Sequence, residues 1–510
     1  MSWIEHDDTA RDTADPVDWP FSVFQSRCSN PAGGISLKAW CRIGVRLFGF
    51  AVCLGSGRGT AGNERCRYSG DESRYVQRTR AWEHLAGISA LDSNISVGCR
   101  LILSGMTQRT PSLFDDFDDE SFSVDSLDDL IDQRRIPIRR GDLLSSTPIS
   151  VDVQRLRADH RVAGMLIGVG VGDALGHSTE WRFDPDSRHQ RFGTIVDHLR
   201  GSDVRAGRIS DDAQMTFWTV ERLLSHGRFE FDDVVGCFVD RQGKIVGMGK
   251  NTGASLTRHH RRLQSGRASI ESCAGDPIIE GRGNGGLMRF APIVLPYLRQ
   301  PSNEMYADAI MSTLATHGNS WALASIAPMT HLLWSVLARD VDDPPPDAWW
   351  LDEYIRVGAD IEIGPMPYPL DTDPIPRWFQ NFRGGLCDFL DGPVRDAFRK
   401  GVPLRDACSL DGFGSRADIL QTVPAVLYTL MCHADDMTSS LIAAVNDTKD
   451  NDTIAAIVGA YVGAIHGRKA IRGRWIDGIT SYSLGCQGKE SRCDRDVMIE
   501  MAEAAEEKFS

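Results

Sequence analysis

Apolar residues recur every three to four positions through most of the stretch from about 155 to 475, the period of a helix with one buried face. The spacing predicts helices over 212–226, 305–316, 320–338, 415–432, 437–446 and 453–466, and one more short helix over 496–508. No series of alternating apolar and polar residues accompanies them, so the expected fold class is all-α. Within "ADHRVAGMLIGVGVGDALG" (158–176), Gly164, Gly168, Gly172 and Gly176 stand four apart on one helical face. Each glycine costs a helix interior roughly 1 kcal/mol relative to alanine. Four on one face therefore point to close approach by another backbone or by a ligand. A membrane GxxxG helix is the rival, but the apolar run is short and Asp173 interrupts it.

Outside this region the pattern changes. Neither helical nor strand period persists over 1–105, which we read as a disordered or wrongly extended leader, with Met106 a candidate start. Residues 106–154 form an arm and linker. Its segment "PSLFDDFDDESFSVDSLDDLIDQ" (111–133) interleaves nine acids with apolar residues, the composition of a solvated tail or of a partner-binding arm. The helical domain is expected over 155–480, with a Pro- and Asp-rich surface insertion or long connection at 339–376, whose aromatic residues must pack somewhere, and a C-terminal tail at 481–510.

Composition narrows the function classes modestly. A 510-residue chain that is 42% hydrophobic can bury a sizeable core. A net charge of −14 argues against broad nucleic-acid contact, which needs basic surface. The twelve cysteines form no CxxC pair and no zinc-type spacing, the pattern of free thiols in a reducing compartment. No apolar run reaches the ~20 residues of a membrane span. A soluble, cytoplasmic protein is the expectation.

Chemistry concentrates in three loops. In "RISDDAQMTFWTVERLL" (208–224), Ser210, Asp211 and Asp212 directly precede an apolar helix. One oxygen suffices to cap a helix, and acids favour its positive end, so an ordinary cap explains this loop taken alone. A second loop, "NDTKDNDTIAAIVGAYVGAIHG" (446–467), repeats the arrangement with Asp447, Asp450, Asp452 and Thr453. Clustered carboxylates repel and need a compensating cation; hard divalent ions take such oxygen ligands. The third, "GRGNGGLMRFAPI" (281–293), can fold its backbone N–H groups around a phosphate, or form a plain tight turn. It is neither a P-loop nor a dinucleotide fingerprint.

Taken in order, the stretches "GMLIGVGVGDALGHSTEWR" (164–182), "SDDAQMT", "GNGGLMRFAPI", "THGNSWA" (316–322) and "DNDTIAAIVGAYVGAIHG" resemble the motif blocks of the ADP-ribosylglycohydrolase family, which includes the dinitrogenase reductase-activating glycohydrolases. The resemblance begins at about 155. It implies a compact, orthogonal all-α fold with two Mg²⁺ or Mn²⁺ ions in a central cleft. Matched to those motifs, Ser210, Asp211, Asp212, Asp450, Asp452 and Thr453 would hold the metals. Glu180 would be the mobile glutamate beside them, and Asp212 or Glu180 would accept a proton from water. Gly283, Asn284, Gly285, Gly286, Met288 and Arg289 would bind ADP-ribose, with His317, Gly172 and Asp173 lining the same cleft. The sequence departs from the family at Ser210 and Ala213, where threonines are usual, and at Thr448-Lys449, where Gly-Gly is usual. None of these removes an acid of the set.

The implied activity is metal-dependent release of ADP-ribose from ADP-ribosylated protein side chains, arginine being the first expectation. The alternative is an immunity-type protein that blocks an ADP-ribosyltransferase toxin through its acidic arm.

Overall fold

The computed structural model describes residues 127–180, 184–199, 205–266, 281–485 and 492–510. The leader, and the arm as far as residue 126, lie outside the described residues. Twelve helices carry the argument: α1 (Arg161–Gly176), α2 (Pro185–Phe192), α3 (Asp211–His226), α4 (Phe231–Arg241), α5 (Lys250–Ser265), α6 (Glu304–Leu314), α7 (Ser320–Leu337), α8 (Trp349–Gly358), α9 (Ile419–His433), α10 (Met437–Asp447), α11 (Asn451–His466) and α12 (Asp494–Phe509). Among the described residues there is no β-strand, only an isolated bridge between Gly283 and Asp418, so the fold is all-α as the periodicity predicts. No described helix is long and apolar enough to cross a membrane.

The centre of the fold is the pairing of α1 with α11, whose facing glycines let the two backbones touch. Every residue of α1 is buried, as is α11 from Asn451 to Ile465. A methyl group built on Gly168 would overlap the Gly459 carbonyl, and one on Gly172 would overlap the Ala455 carbonyl. Gly459 and Gly463 would collide in the reverse direction with the carbonyls of Gly168 and Gly164. The glycine stripe thus serves a second helix. Its last member, Gly176, lies against the backbone of Asn451 and Asp452, so the stripe sets the position of the second acidic loop. Gly168→Ala is expected to cost about 3 kcal/mol, because a rigid backbone cannot make room for the methyl group. Urea denaturation of the variant checks this; an unchanged midpoint would show that the helices can separate freely.

Buried polar groups tie the other elements to this pair. Arg161 donates to the carbonyls of Ala464 at 2.5 Å and Val336 at 2.8 Å, which satisfies helix ends that have no partner of their own. Burial pushes its guanidinium down to about 10. Helix α12 lies on α1, with the Met498 side chain over Gly170.

Two segments differ from the expectation. Residues 339–376 contain a helix that the periodicity does not predict, α8, and its Trp350 and Tyr354, with Leu351, are buried in the core, where the aromatic residues find their packing. Helix α5 escapes the periodicity because it buries only Thr252, Ser255, Leu256 and His259. The described end of the arm is also docked. Leu127 and Leu130, on the short helix Leu127–Asp132, are buried, and so are Ile136, Ile138 and Leu143. Asn303 donates to Leu144 O at 2.9 Å and the Trp334 indole to Ile149 O at 2.7 Å.

Candidate metal and substrate site

The C-terminal end of α1 and the N-terminal ends of α3 and α11 converge, and they bring the two acidic loops together although about 240 residues separate them. Asp173 does the joining. It is fully buried, and its Oδ2 accepts from Ser210 N at 2.8 Å and Ala213 N at 3.0 Å. Its Oδ1 accepts from the Ser210 hydroxyl at 2.8 Å. A carboxylate of α1 thus caps α3 from outside, and this corrects the expectation that Gly172 and Asp173 line the cleft. Gly172 is pressed on α11, and Asp173 is spent on a helix end.

Glu180, Asp211, Asp212, Asp450 and Thr453 border a cleft of about 610 Å³, together with Gly283, Asn284, Gly285, Met288 and His317. Asp452 lies just behind. Carboxylate oxygens of Glu180, Asp450 and Asp452 fall within 4.8 Å of one another, as do ligand atoms of Asp173, His177 and Asp452. Burial raises the carboxyls of Asp211, Asp212 and Asp452 well above the usual range, and neighbouring acids raise them further. Burial, and then Glu180, lifts Asp450 to about 7. Burial lifts Asp173 to about 6.

Two observations show that this set suits cations. Asp212 Oδ1 is buried with no hydrogen-bond partner, an arrangement that is costly unless something positive meets it. The Ser210 hydroxyl stands 2.8 Å from both Asp173 Oδ1 and Asp212 Oδ2, but it has one proton to give. Hard oxygen donors clustered this way fit Mg²⁺ or Mn²⁺.

The glycine loop forms the facing wall. Asn284 donates through Nδ2 to Asp450 Oδ2 at 2.7 Å and to Thr422 Oγ1 at 3.0 Å, coupling this loop to the acidic one. Gly283 and Gly285 lie flat against the His317 ring, where a side chain would collide with it. Burial, and then Arg289, pushes the His317 imidazole down to about 3, so it is neutral at physiological pH. Its Nδ1 pairs with Thr316 Oγ1 at 2.9 Å.

Two further residues stand away from their expected place. Gly286 packs on the Thr313 side chain. Arg289 is fully buried beneath the loop and donates to Gly285 O at 3.1 Å, Ser312 O at 2.7 Å and Thr316 Oγ1 at 2.8 Å. It shapes the loop from below and does not border the cleft.

Several contributors were missed from the sequence. The run Gly247 to Thr252 walls the cleft, and its only local signal is a glycine-rich stretch before a polar helix. His177 and Asn451 sit among the acids; Asn451 donates to Thr179 Oγ1 at 3.0 Å and Val445 O at 3.1 Å. Arg188 on α2 donates to Val445 O at 2.8 Å and Thr448 O at 2.7 Å, which holds the end of α10 and the start of the second loop. Lys449, the departure inside that loop, is half-buried beside Asp184 and Arg188 and does not border the cleft.

Comparison with known proteins places the chain in a family. The family model described as ADP-ribosylglycohydrolase matches residues 154–509. The ADP-ribosylarginine hydrolase Tri1 of Serratia proteamaculans is 22% identical over 327 residues, 62% of this chain and 74% of that protein. The ADP-ribosylhydrolase ARH3 of Gallus gallus is 24% identical over 62% of this chain and 88% of its own length. The ADP-ribosyl-[dinitrogen reductase] glycohydrolase of Rhodospirillum rubrum is 25% identical over 62% of this chain and 89% of its own. A solved structure titled "ADP-ribosylglycohydrolase-related protein complex" aligns over 69% of this chain and 99% of that chain, at 24% identity and a TM-score of 0.49. With the family model spanning the acidic loops, the glycine loop and the paired glycine helices, the chain belongs to the ADP-ribosylglycohydrolase family and is a glycohydrolase enzyme.

Proposed function

We propose that the protein removes ADP-ribose from modified protein side chains in a divalent-metal-dependent hydrolysis, with arginine the first linkage to expect. The buried, unpartnered Asp212 Oδ1 among converging acids, on a residue that borders the same cleft as the glycine loop, carries this reading. The cleft volume, about 610 Å³, is in the range of sites for ligands of this size. The name of the Serratia relative, an ADP-ribosylarginine hydrolase, supports arginine.

Ser210, Asp211, Asp212, Asp450, Asp452 and Thr453 would hold two ions, with Glu180 beside them. When bound, the ions supply the positive charge that offsets these carboxylates, and Lewis acidity toward ribose hydroxyls and water. The residues do the rest. Gly283 and Gly285 present backbone to the diphosphate without a side chain in the way. Neutral His317 packs beneath them and offers no charge of its own. Water adds at the anomeric carbon of the ribose as the bond to the side-chain nitrogen breaks, with oxocarbenium character at the carbon. Asp212 or Glu180 takes the proton from water. The leaving nitrogen gains a proton, so arginine and free ADP-ribose result.

The test is a panel of defined ADP-ribosylated substrates, arginine- and serine-linked among them, incubated with the full chain with and without Mg²⁺ or Mn²⁺. ADP-ribose is expected from the arginine-linked substrate in the presence of metal and not with chelator. Absence of release from every linkage overturns the proposal. Occlusion of an ADP-ribosyltransferase toxin is not favoured by the described part of the arm, because Leu127 and Leu130 are occupied by the protein's own core.

A further inference from the structure

The acidic cluster contains one nitrogen base that the oxygen ligands do not explain. His177 follows the last glycine of α1 and is 2% exposed. Its Nδ1 lies 3.3 Å from Glu180 Oε2 and 3.4 Å from Asp452 Oδ2. Its backbone is fixed, because Gly176 beside it rests on Asp452.

His177 Nδ1 and Asp452 Oδ2 are within hydrogen-bond reach, but both separations are long for a charge-assisted bond, which runs at about 2.7–2.9 Å. They match two ligands of one divalent ion. Bonds of about 2.1 Å at right angles put ligand atoms ~3.0 Å apart, and tetrahedral bonds of the same length put them ~3.4 Å apart. The ligand atoms of His177 and Asp452 lie within 4.8 Å of one another and of Asp173, whose oxygens are already taken by the start of α3, and Asp452 also belongs to the group with Glu180 and Asp450. The buried, unpartnered Asp212 Oδ1, on a carboxyl that neighbours both Asp173 and Asp452, is independent evidence that a cation belongs here.

We propose that His177 Nδ1 is a direct metal ligand, so that the centre is a mixed nitrogen–oxygen site. Asp452 would serve both this position and the all-oxygen group with Glu180 and Asp450. An imidazole favours borderline divalent ions over Mg²⁺ relative to an all-oxygen set. The site accordingly selects Co²⁺ over Mg²⁺ more strongly than carboxylates alone would. This inference rests on the reading of the acids as a metal centre, and the experiment separates the two.

The full chain, stripped with chelator and reloaded with Mn²⁺, is examined by pulsed EPR. The expected result is ¹⁴N modulation from an imidazole, which changes to the ¹⁵N pattern when the protein is labelled with [¹⁵N]histidine. It disappears in His177→Ala and persists in His317→Ala, the histidine that borders the cleft. In competition titrations, His177→Ala lowers the Co²⁺-to-Mg²⁺ affinity ratio about tenfold or more, a size typical of losing a metal-site partner. Should His177→Ala fail to fold, the labelled wild type and His317→Ala still make the assignment. Bound Mn²⁺ without nitrogen coupling, or coupling that survives in His177→Ala, overturns the role of His177 and leaves the metal centre standing. Failure of the wild type to bind Mn²⁺ overturns both.

Discussion

Asp211→Ala combined with Asp452→Ala is expected to abolish ADP-ribose release, lowering kcat/KM by more than about 10³-fold, or over ~4 kcal/mol of transition-state stabilisation. The two residues come from different helix starts, one on α3 and one just inside α11. Losing both removes carboxylates from each side of the cleft, and no nearby side chain can replace them. The same substitutions should not weaken the fold. Both carboxyls are buried among like charges that raise them well above their usual range, so the metal-free protein gains when they are removed. Thermal melting of the chelator-treated variant should give a midpoint equal to or above that of the treated wild type. Near-normal turnover in the double variant would refute the assignment of these acids. A collapse in stability would show that they serve the fold instead.

The second large effect is a coupling of stability to pH and to divalent ions. In the metal-free protein Asp450 is lifted to about 7 and Asp173 to about 6, against an ordinary value of 3.8. A carboxyl raised on folding favours the native state while it is protonated. That contribution is complete below the unfolded value, about 4, and is lost as pH rises through 6 and 7. Chelator-treated protein should therefore melt several degrees lower at pH 8 than at pH 5. Adding Mg²⁺ or Mn²⁺ at ~1,000 times Kd contributes about 4 kcal/mol. The gain should be largest at pH 8, because the ions compete with protons for the same oxygens. Differential scanning calorimetry at both pH values, with and without metal, decides the matter. A flat pH profile together with no response to metal would contradict the reading of the cluster as a cation site.

Much of this site is legible in the sequence because its residues are constrained by local rules. A hydroxyl and acids directly before an apolar run mark a helix start whether or not a metal is present. The SDD and DNDT loops stand out for that reason, and both sit at helix starts in the fold, Ser210 acting as the cap of α3. The glycine stripe was equally plain, since only glycine tolerates such a face, although sequence left its occupant open between a backbone and a ligand. The residues whose role the sequence leaves open are those that depend on what lies opposite. Asp173 shares a motif with the cleft residues, yet its carboxylate faces α3. Arg289 follows the glycine loop but points beneath it, to Ser312 and Thr316. His177 and Asn451 behind the acids, Arg188 under the second loop and the Gly247–Thr252 wall take their roles from long-range packing, which no periodic pattern encodes.

The sequence by itself determined the all-α class, the starts of the helices that carry the acids, and the glycine face that demands a close neighbour. Each follows from interactions among residues within a few turns. Only the tertiary structure decided that α11 is that neighbour, that the two acidic loops share one buried cluster with His177 inside it, and that Asp173 and Arg289 support the cleft from behind. Those outcomes depend on which surfaces meet after burial, and a local pattern of apolar and polar positions does not encode the partner across the interface.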